Sequence, residues 1–162
     1  MPRPLRLACL FLVLGSVGCV SVSVEREPPA VNEDGVPRLV FEHQALQVAD
    51  LDRSAAFYTG TLGLAEIPTP PGARGIRWFE LGDGLQLHLI ENDAAQTIPK
   101  GTHLALATPD INALADYLDA QGILYFDWPG AASTISTRGD GIRQVYIRDP
   151  DGHWIEINNV ER

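Results

Sequence analysis

The sequence predicts an α+β domain in which one structural unit is used twice. The first observation is an internal repeat: HQALQVADL at residues 43–51 aligns with HLALATPDI at 103–111, an offset of 60. The second is that GIR at 75–77 recurs at 141–143. Self-similarity over this length indicates a duplicated unit more strongly than any single short motif. Each unit has the pattern strand, helix and then three strands.

The first unit begins with residues 41–49, whose apolar and polar residues alternate as in a half-buried strand. Asp50 is a suitable N-cap for a helix over 51–62, and Gly63 ends that helix. Shorter strands are predicted at 65–67, 76–81 and 85–91. Because GDG at 82–84 is rich in turn residues, we expect a hairpin before the last strand.

The second unit repeats this order. Its first strand lies around 103–107, and Thr108 or Asp110 caps a helix that begins near Ile111, with Pro109 close to the first turn. Gly122 ends the helix. The predicted strands that follow are 125–128, 144–148 and 154–158, with a turn at PDG, residues 150–152, before the last.

The N-terminal segment is typical of a bacterial export signal. Arg3 and Arg6 precede an apolar stretch at 7–14 that is too short to span a bilayer. Small residues then lead to Cys19, a pattern that resembles a lipobox, although plain secretion with cleavage nearby gives a similar pattern. We therefore expect a lipoprotein signal peptide at 1–18, lipidation of Cys19, a flexible tether at 19–37 and a folded domain at 38–162. The expected location is the cell envelope, with the lipid as the only membrane contact.

Charge and cysteine content exclude several kinds of function. The chain has 12 Lys and Arg against 21 Asp and Glu, a formal net charge of −9, and no basic run. A nucleic-acid partner is therefore not expected. If Cys9 leaves with the signal and Cys19 carries lipid, the mature domain has no thiol. It then has no disulfide and no cysteine nucleophile or ligand.

Strand parity places a group of ionisable residues on one face. Side chains two apart share a face of a strand, so one face of the first and last strands should meet the helices. That face carries Leu46, Val48, Leu85, Leu87, Leu89, Leu104, Leu106, Ile155 and Ile157. Four residues at corresponding positions of the two units face the other way: His43, His88, His103 and Glu156. Three imidazoles and a carboxylate suit a divalent metal ion. The same residues are also compatible with an ordinary solvated sheet face.

Other residues share that face or fall outside it. By parity, four further side chains are candidates for substrate contact, or are ordinary residues of the sheet face: Trp78, Gln86, Gln144 and Tyr146. The remaining histidine, His153, lies next to a glycine in the last turn and is predicted to be exposed to solvent.

Four motifs resemble one known family. They are VADLDRSAAFYTGTLGL after His43, GIRWFELGDGLQLHLIE, HLALATPDINALADYLDAQGI and RQVYIRDPDGHWIEI. Together they are similar to the glyoxalase I / bleomycin resistance protein / extradiol dioxygenase superfamily, also called vicinal oxygen chelate proteins. The resemblance implies two βαβββ modules, about 40–92 and 101–160. Their curled mixed sheet surrounds a metal cavity and their helices lie outside.

The resemblance also implies a ligand set. Metal-dependent members take ligands from the first and last strands of each module, which by position are His43, His88, His103 and Glu156. The last strand of the first module commonly offers Glu or Gln in glyoxalase I and epimerases, whereas His88 stands here. His88 is therefore either a fourth ligand or an acid/base beside the other three.

The function implied is an exported, metal-dependent, glyoxalase-like lyase or isomerase acting on a small substrate with two adjacent oxygens. Zinc is the expected ion, with nickel, cobalt, manganese and iron open, and Glu156 would move a proton. The alternatives are a non-catalytic small-molecule binding or resistance protein and an extradiol-type dioxygenase. The two modules either close one cavity within the chain or exchange across a homodimer.

Overall fold

We describe the protein from a computed structural model, at Val31, residues 33–94 and residues 98–161. From Val40 onward the described residues form one compact unit, which contains the helices and strands described below. The predicted signal peptide and Cys19 lie outside the described residues. Within the described ranges, no helix is both long and apolar enough to cross a membrane.

The first module is a four-stranded mixed sheet with one helix. Its elements are β1 (His43–Val48), α1 (Leu51–Gly60), β2 (Glu66–Ile67), β3 (Ile76–Gly82) and β4 (Leu85–Glu91). The strand order is β1-β4-β3-β2; β1 runs parallel to β4 and the other pairs are antiparallel. Asp50 caps α1 as predicted, because its side chain accepts a hydrogen bond from the Arg53 backbone N–H.

The second module repeats this topology. Its elements are β5 (Leu104–Ala107), α2 (Ile111–Ala120), β6 (Ser136–Thr137), β7 (Arg143–Arg148) and β8 (Trp154–Asn158), in the order β5-β8-β7-β6. Asp110, rather than Thr108, caps α2 and accepts from the backbone N–H groups of Asn112 and Ala113. The predicted α+β fold of two tandem strand–helix–three-strand modules is confirmed.

One predicted strand is wrong. Residues 125–128 form no regular strand, since Phe126 makes isolated bridges to Ala132 and Tyr146. The Asp127 side chain accepts hydrogen bonds from the backbone N–H groups of Gly130 and Ala131, which turns the chain away from the sheet. The outer strand of this sheet is Ser136–Thr137 instead.

The helix-facing sides of both sheets form the apolar core, as parity predicted. In β4 the buried residues Leu87 and Leu89 alternate with half-buried ones, and in β1 Leu46 and Val48 are buried. The core also contains the helix residues Ala55, Tyr58, Ile111, Ala115 and Leu118 and the sheet residues Phe79, Leu104, Val145, Ile147, Ile155 and Ile157. The opposite face of each sheet has no helix on it in the element packing, and it positions the candidate site.

The β7–β8 turn, residues 149–153, fastens the second module to the first. The Asp151 carboxylate accepts hydrogen bonds from the backbone N–H of Ala49 at 2.9 Å and from the Ser54 hydroxyl at 2.7 Å. Asp149 accepts from the Tyr58 hydroxyl at 3.0 Å. Burial raises the pKa of Asp149. In Asp151 burial also acts upward, but the donors from Ala49, Ser54 and Arg53 outweigh it and lower the pKa.

His153 is buried, so the prediction that it is exposed is wrong. Its side chain is 2% exposed, and Nε2 lies 2.6 Å from the backbone oxygen of Gln47. β1 is an edge strand, and its outer carbonyls need donors from elsewhere when they are buried. The imidazole supplies one such donor, which is a packing requirement that a turn sequence does not show.

Candidate metal and substrate site

Three stacked rings lie on the open face of the first sheet. Trp78 and His88 stack with centroids 4.2 Å apart and planes 6° apart, and His88 and His43 stack at 4.2 Å and 15°. Trp78 and His88 are paired across β3 and β4, whereas His43 comes from β1. His88 Nε2 donates a hydrogen bond to Gln86 Oε1 at 2.8 Å. Burial, and then the neighbouring His43, lower the pKa of His88, which favours its neutral form.

His43 is oriented by its neighbour in the chain. Its Nδ1 pairs with the Glu42 carboxylate, and its side chain is 43% exposed. A proton on Nδ1 leaves the Nε2 lone pair free, which is the tautomer of a histidine that binds a metal through Nε2. A carboxylate on the far nitrogen is a typical outer partner of such a ligand.

Glu156 lies on the face of the second sheet opposite the apolar core, and the side chains of β7 and β8 on this face are largely buried. Glu156 itself is 6% exposed, and its Oε2 accepts from the Tyr146 hydroxyl at 2.6 Å while Oε1 accepts from Asn158 Nδ2 at 2.8 Å. Arg138 Nη1 lies 3.7 Å from Oε1. Burial and then the bond to Glu156 raise the pKa of Tyr146, so the phenol keeps its proton and remains a donor. The carboxylate is therefore held in one orientation.

His103 lies against this carboxylate in an arrangement that calls for a cation. Its Nδ1 is 2.8 Å from the backbone oxygen of Lys100, and because a carbonyl oxygen can only accept, Nδ1 carries the proton in this bond. Nε2 is then directed at Glu156 Oε2, 3.1 Å away. A neutral imidazole would place its lone pair against a carboxylate oxygen, which is repulsive. Either a proton on Nε2 or a metal ion held by both groups relieves this repulsion.

The four predicted ligands come together as two pairs. His43 and His88 are in contact on the first sheet, and His103 and Glu156 on the second. Among the described residues, no group of three or more His, Cys, Asp or Glu side chains is arranged to hold a metal ion. Each pair has nitrogen or oxygen donor atoms, and we call these pairs, His43 with His88 and His103 with Glu156, the two half-sites of the candidate site.

The predicted substrate-contact residues lie beside these pairs. Trp78 and Gln86 contact His88, and Tyr146 contacts Glu156. Gln144 is 6% exposed, and its Oε1 has no hydrogen-bond partner among the described residues. Buried acceptors without a donor are uncommon in folded proteins. Gln144 Oε1 is thus a buried acceptor without a donor on the same sheet face as Glu156.

Sequence analysis missed several neighbours of the site. Asn158 shares the parity of Glu156 and was recognisable as a member of that face. Lys100 and Arg138 lie outside the regular strands, where no periodicity indicates the direction of a side chain. Glu42 precedes β1 and has no signal beyond its proximity to His43.

A cleft of about 540 Å³ lies elsewhere on the domain. It follows the free edge of β5 and is lined by leucines of the first module, among them Leu62, Leu81 and Leu85. Of the four predicted ligands, only His103 lines it. This cleft therefore does not join the two half-sites.

Comparison with known proteins identifies the family. The family model described as Glyoxalase/Bleomycin resistance protein/Dioxygenase superfamily matches residues 40–157. The chain belongs to this superfamily. The resemblance found in the four sequence motifs is thereby confirmed.

Proteins from several bacteria are similar along most of the domain. Protein YwbC of Bacillus subtilis, whose name states no activity, is 29% identical over 72% of this chain and 94% of its own length. A probable lactoylglutathione lyase of Vibrio cholerae is 28% identical over 71% of this chain and 86% of its own. The crystal structure of a Bacillus anthracis protein assigned to the glyoxalase family superposes with a TM-score of 0.64 and 25% identity, covering 76% of this chain and 97% of that one.

Proposed function

We propose that the protein is a metal-dependent, glyoxalase-like lyase or isomerase for a small substrate with two adjacent oxygens. The observation that carries the proposal is the placement of His103 between the Lys100 carbonyl and the Glu156 carboxylate. The likeness to the Vibrio cholerae relative supports a lyase of this class. Family membership supports a divalent metal, for which zinc is the first expectation from imidazole and carboxylate ligands.

The residues that would hold the metal are His43, His88, His103 and Glu156. Their donor chemistry fits such an ion, since the far nitrogens of His43 and His103 are each tied to an oxygen acceptor. When bound, a divalent ion stabilises negative charge that develops on neighbouring substrate oxygens. Metal addition followed by chelation should also move the NMR signals of the His103 ring and then restore them, a readout that does not depend on turnover.

Glu156 would move a proton between neighbouring substrate carbons. It is the one carboxylate among the four, and a carboxylate within reach of substrate is a suitable general base. Tyr146 donates to one of its oxygens and Asn158 to the other, so the carboxylate is already oriented before substrate binds. Burial on the sheet face limits competing contact with water.

We further propose that a second copy of the chain completes the site. The support is that each sheet presents half of the ligand set and that one chain does not assemble three of its members within the described residues. A symmetric dimer would place the first-sheet pair of one chain opposite the second-sheet pair of the other, twice. The alternative is closure of both sheets within one chain.

Mixing two inactive variants separates these arrangements. One chain carries His43→Ala and His88→Ala, and the other carries Glu156→Gln and His103→Ala. If the site is shared, equal amounts refolded together should regain about a quarter of wild-type activity, since half the dimers are mixed and each has one intact site. Two chains that each need their own four residues would stay inactive after mixing, and the shared site would be wrong.

The metal itself is tested by plasma mass spectrometry on the full-length chain beside a His43→Ala, His103→Ala double variant. We expect about one divalent ion per wild-type chain and a loss of most of it in the variant. The matched control is Arg74→Met, an exposed change far from the ligand residues in sequence. A chain that takes up no metal after reloading contradicts the catalytic proposal.

Export and lipid attachment at Cys19 are part of the proposed function and rest on the sequence alone. The test is metabolic labelling with a fatty acid in wild type and in Cys19→Ser. Label in the wild type and none in the variant supports a lipid-anchored protein of the cell envelope. Unlabelled wild-type protein that retains residues 1–18 contradicts it.

A further inference from the structure

Two cations beside the second sheet, Lys100 and Arg148, make no close ion pair among the described residues. This is unexpected in a chain with 21 acidic and 12 basic residues. By contrast Arg53, Arg77 and Arg138 each pair with a carboxylate.

Lys100 is half-buried among aromatic rings. Its Nζ lies 4.4 Å from the centroid of the Tyr146 ring, 4.6 Å from that of Trp154 and 5.6 Å from that of Trp128. It donates to the backbone oxygens of Asp127 and Trp128. An ammonium group has three protons, so a donor remains beyond these two bonds.

Arg148 extends the same cluster. Its guanidinium carbon lies 4.2 Å from the centroid of the Trp154 ring, and its side chain is exposed. Burial, opposed by Asp127 and reinforced by Arg148, lowers the pKa of Lys100. Asp127 is the nearby negative charge, but its carboxylate makes no ion pair with Lys100 or Arg148 among the described residues, and its Oδ1 accepts from the backbone N–H groups of Gly130 and Ala131.

The cluster adjoins the proposed catalytic carboxylate. The Tyr146 ring that contacts Lys100 carries the hydroxyl bonded to Glu156. The backbone oxygen of Lys100 accepts from His103. A ligand group bound to Lys100 is therefore separated from Glu156 by the Tyr146 side chain alone.

We propose that Lys100 and Arg148 form an anion-binding subsite beside Trp154. The substrate is then an organic acid whose carboxylate or phosphate binds this subsite, while its reacting oxygens face Glu156. The orientation of the reacting oxygens towards Glu156 rests on the proposed function. The anion subsite itself can be tested without turnover. A half-buried ammonium and a guanidinium that both contact the Trp154 ring place two positive charges near one another, and each can donate charge-assisted hydrogen bonds to a carboxylate or phosphate.

The test is a calorimetric titration of the full-length chain, stripped of metal with a chelator, with inorganic phosphate and with succinate. We expect saturable binding of at least one probe, weakened at least about tenfold in Lys100→Met, the cost of one lost charged contact. Arg148→Gln should weaken it in the same direction, and Lys100→Arg should retain most of it. The control Arg74→Met removes one exposed positive charge elsewhere and should leave binding unchanged.

The outcomes separate the subsite from the catalytic proposal. Binding to the metal-free chain that depends on Lys100 supports the subsite even if the protein proves to have no lyase activity. No saturable binding of either probe overturns it, as does equal weakening in Lys100→Met and Arg74→Met. If Lys100→Met fails to fold, Arg148→Gln decides instead, because its side chain is exposed and contacts the Trp154 ring from the surface.

Discussion

The bond between Tyr146 and Glu156 predicts a measurable loss when the hydroxyl is removed. In Tyr146→Phe the ring remains in contact with Lys100, but the 2.6 Å donor to Glu156 Oε2 is lost. Both side chains are buried, and hydrogen bonds to charged groups contribute about 1.5–3 kcal/mol to the free energy of unfolding. Asn158 still donates to the other carboxylate oxygen and limits the loss, so we expect about 1.5–2 kcal/mol.

The assay is urea unfolding of wild type, Tyr146→Phe, Glu156→Gln and the double variant at neutral pH. The coupling energy from this cycle should be about 1 kcal/mol or more, since the two groups are in direct contact. Tyr117→Phe is the matched control: its hydroxyl lies at a long 3.3 Å from the Gly60 carbonyl on the surface, and its loss should change stability by less than about 0.5 kcal/mol. Equal effects of the two phenylalanine variants, or a coupling energy near zero, would refute the reasoning.

Three further predictions concern buried polar groups. Tyr58→Phe removes a donor to the buried Asp149 carboxylate and should lower the free energy of unfolding by about 1.5–3 kcal/mol in urea titrations. Gln144→Leu removes a buried acceptor without a partner, so stability should stay level or rise by about 1 kcal/mol while KM for substrate increases; a clear loss of stability would show that Oε1 is satisfied. Burial raises the pKa of Asp149, so its ionisation opposes folding: as pH rises from about 4 to 7, wild type should lose stability relative to Asp149→Asn. A difference between the two that is independent of pH over that range would contradict this assignment.

Periodicity was sufficient to predict the faces of the strands. Alternation in 85–91 placed His88 opposite Leu87 and Leu89, and the structure has this arrangement with the same strand bounds. The repeat made the second module predictable from the first, down to β8 at 154–158. These features depend on local backbone geometry, which the sequence of one strand determines.

The arrangement of one sheet relative to the other could not be predicted from strand periodicity. Parity states which face a side chain occupies but not how far two sheets stand apart, so it did not show that His43 and Glu156 belong to separate pairs. His153 was misplaced for the same reason, because its burial depends on a carbonyl of another module. Lys100 lies in the connection between modules, where no period applies.

The fastening of the β7–β8 turn to β1 has a consequence for how the protein can diverge. The strand whose far end is held by Asp151 and His153 also carries His43. A substitution in the turn therefore shifts a candidate ligand in the other half of the duplicated chain, although the turn itself meets no substrate. The two modules therefore cannot change in sequence independently at these positions, although they repeat the same unit. In a library of random variants, positions 149–153 should be intolerant under selection for activity even where the variants still accumulate as folded protein.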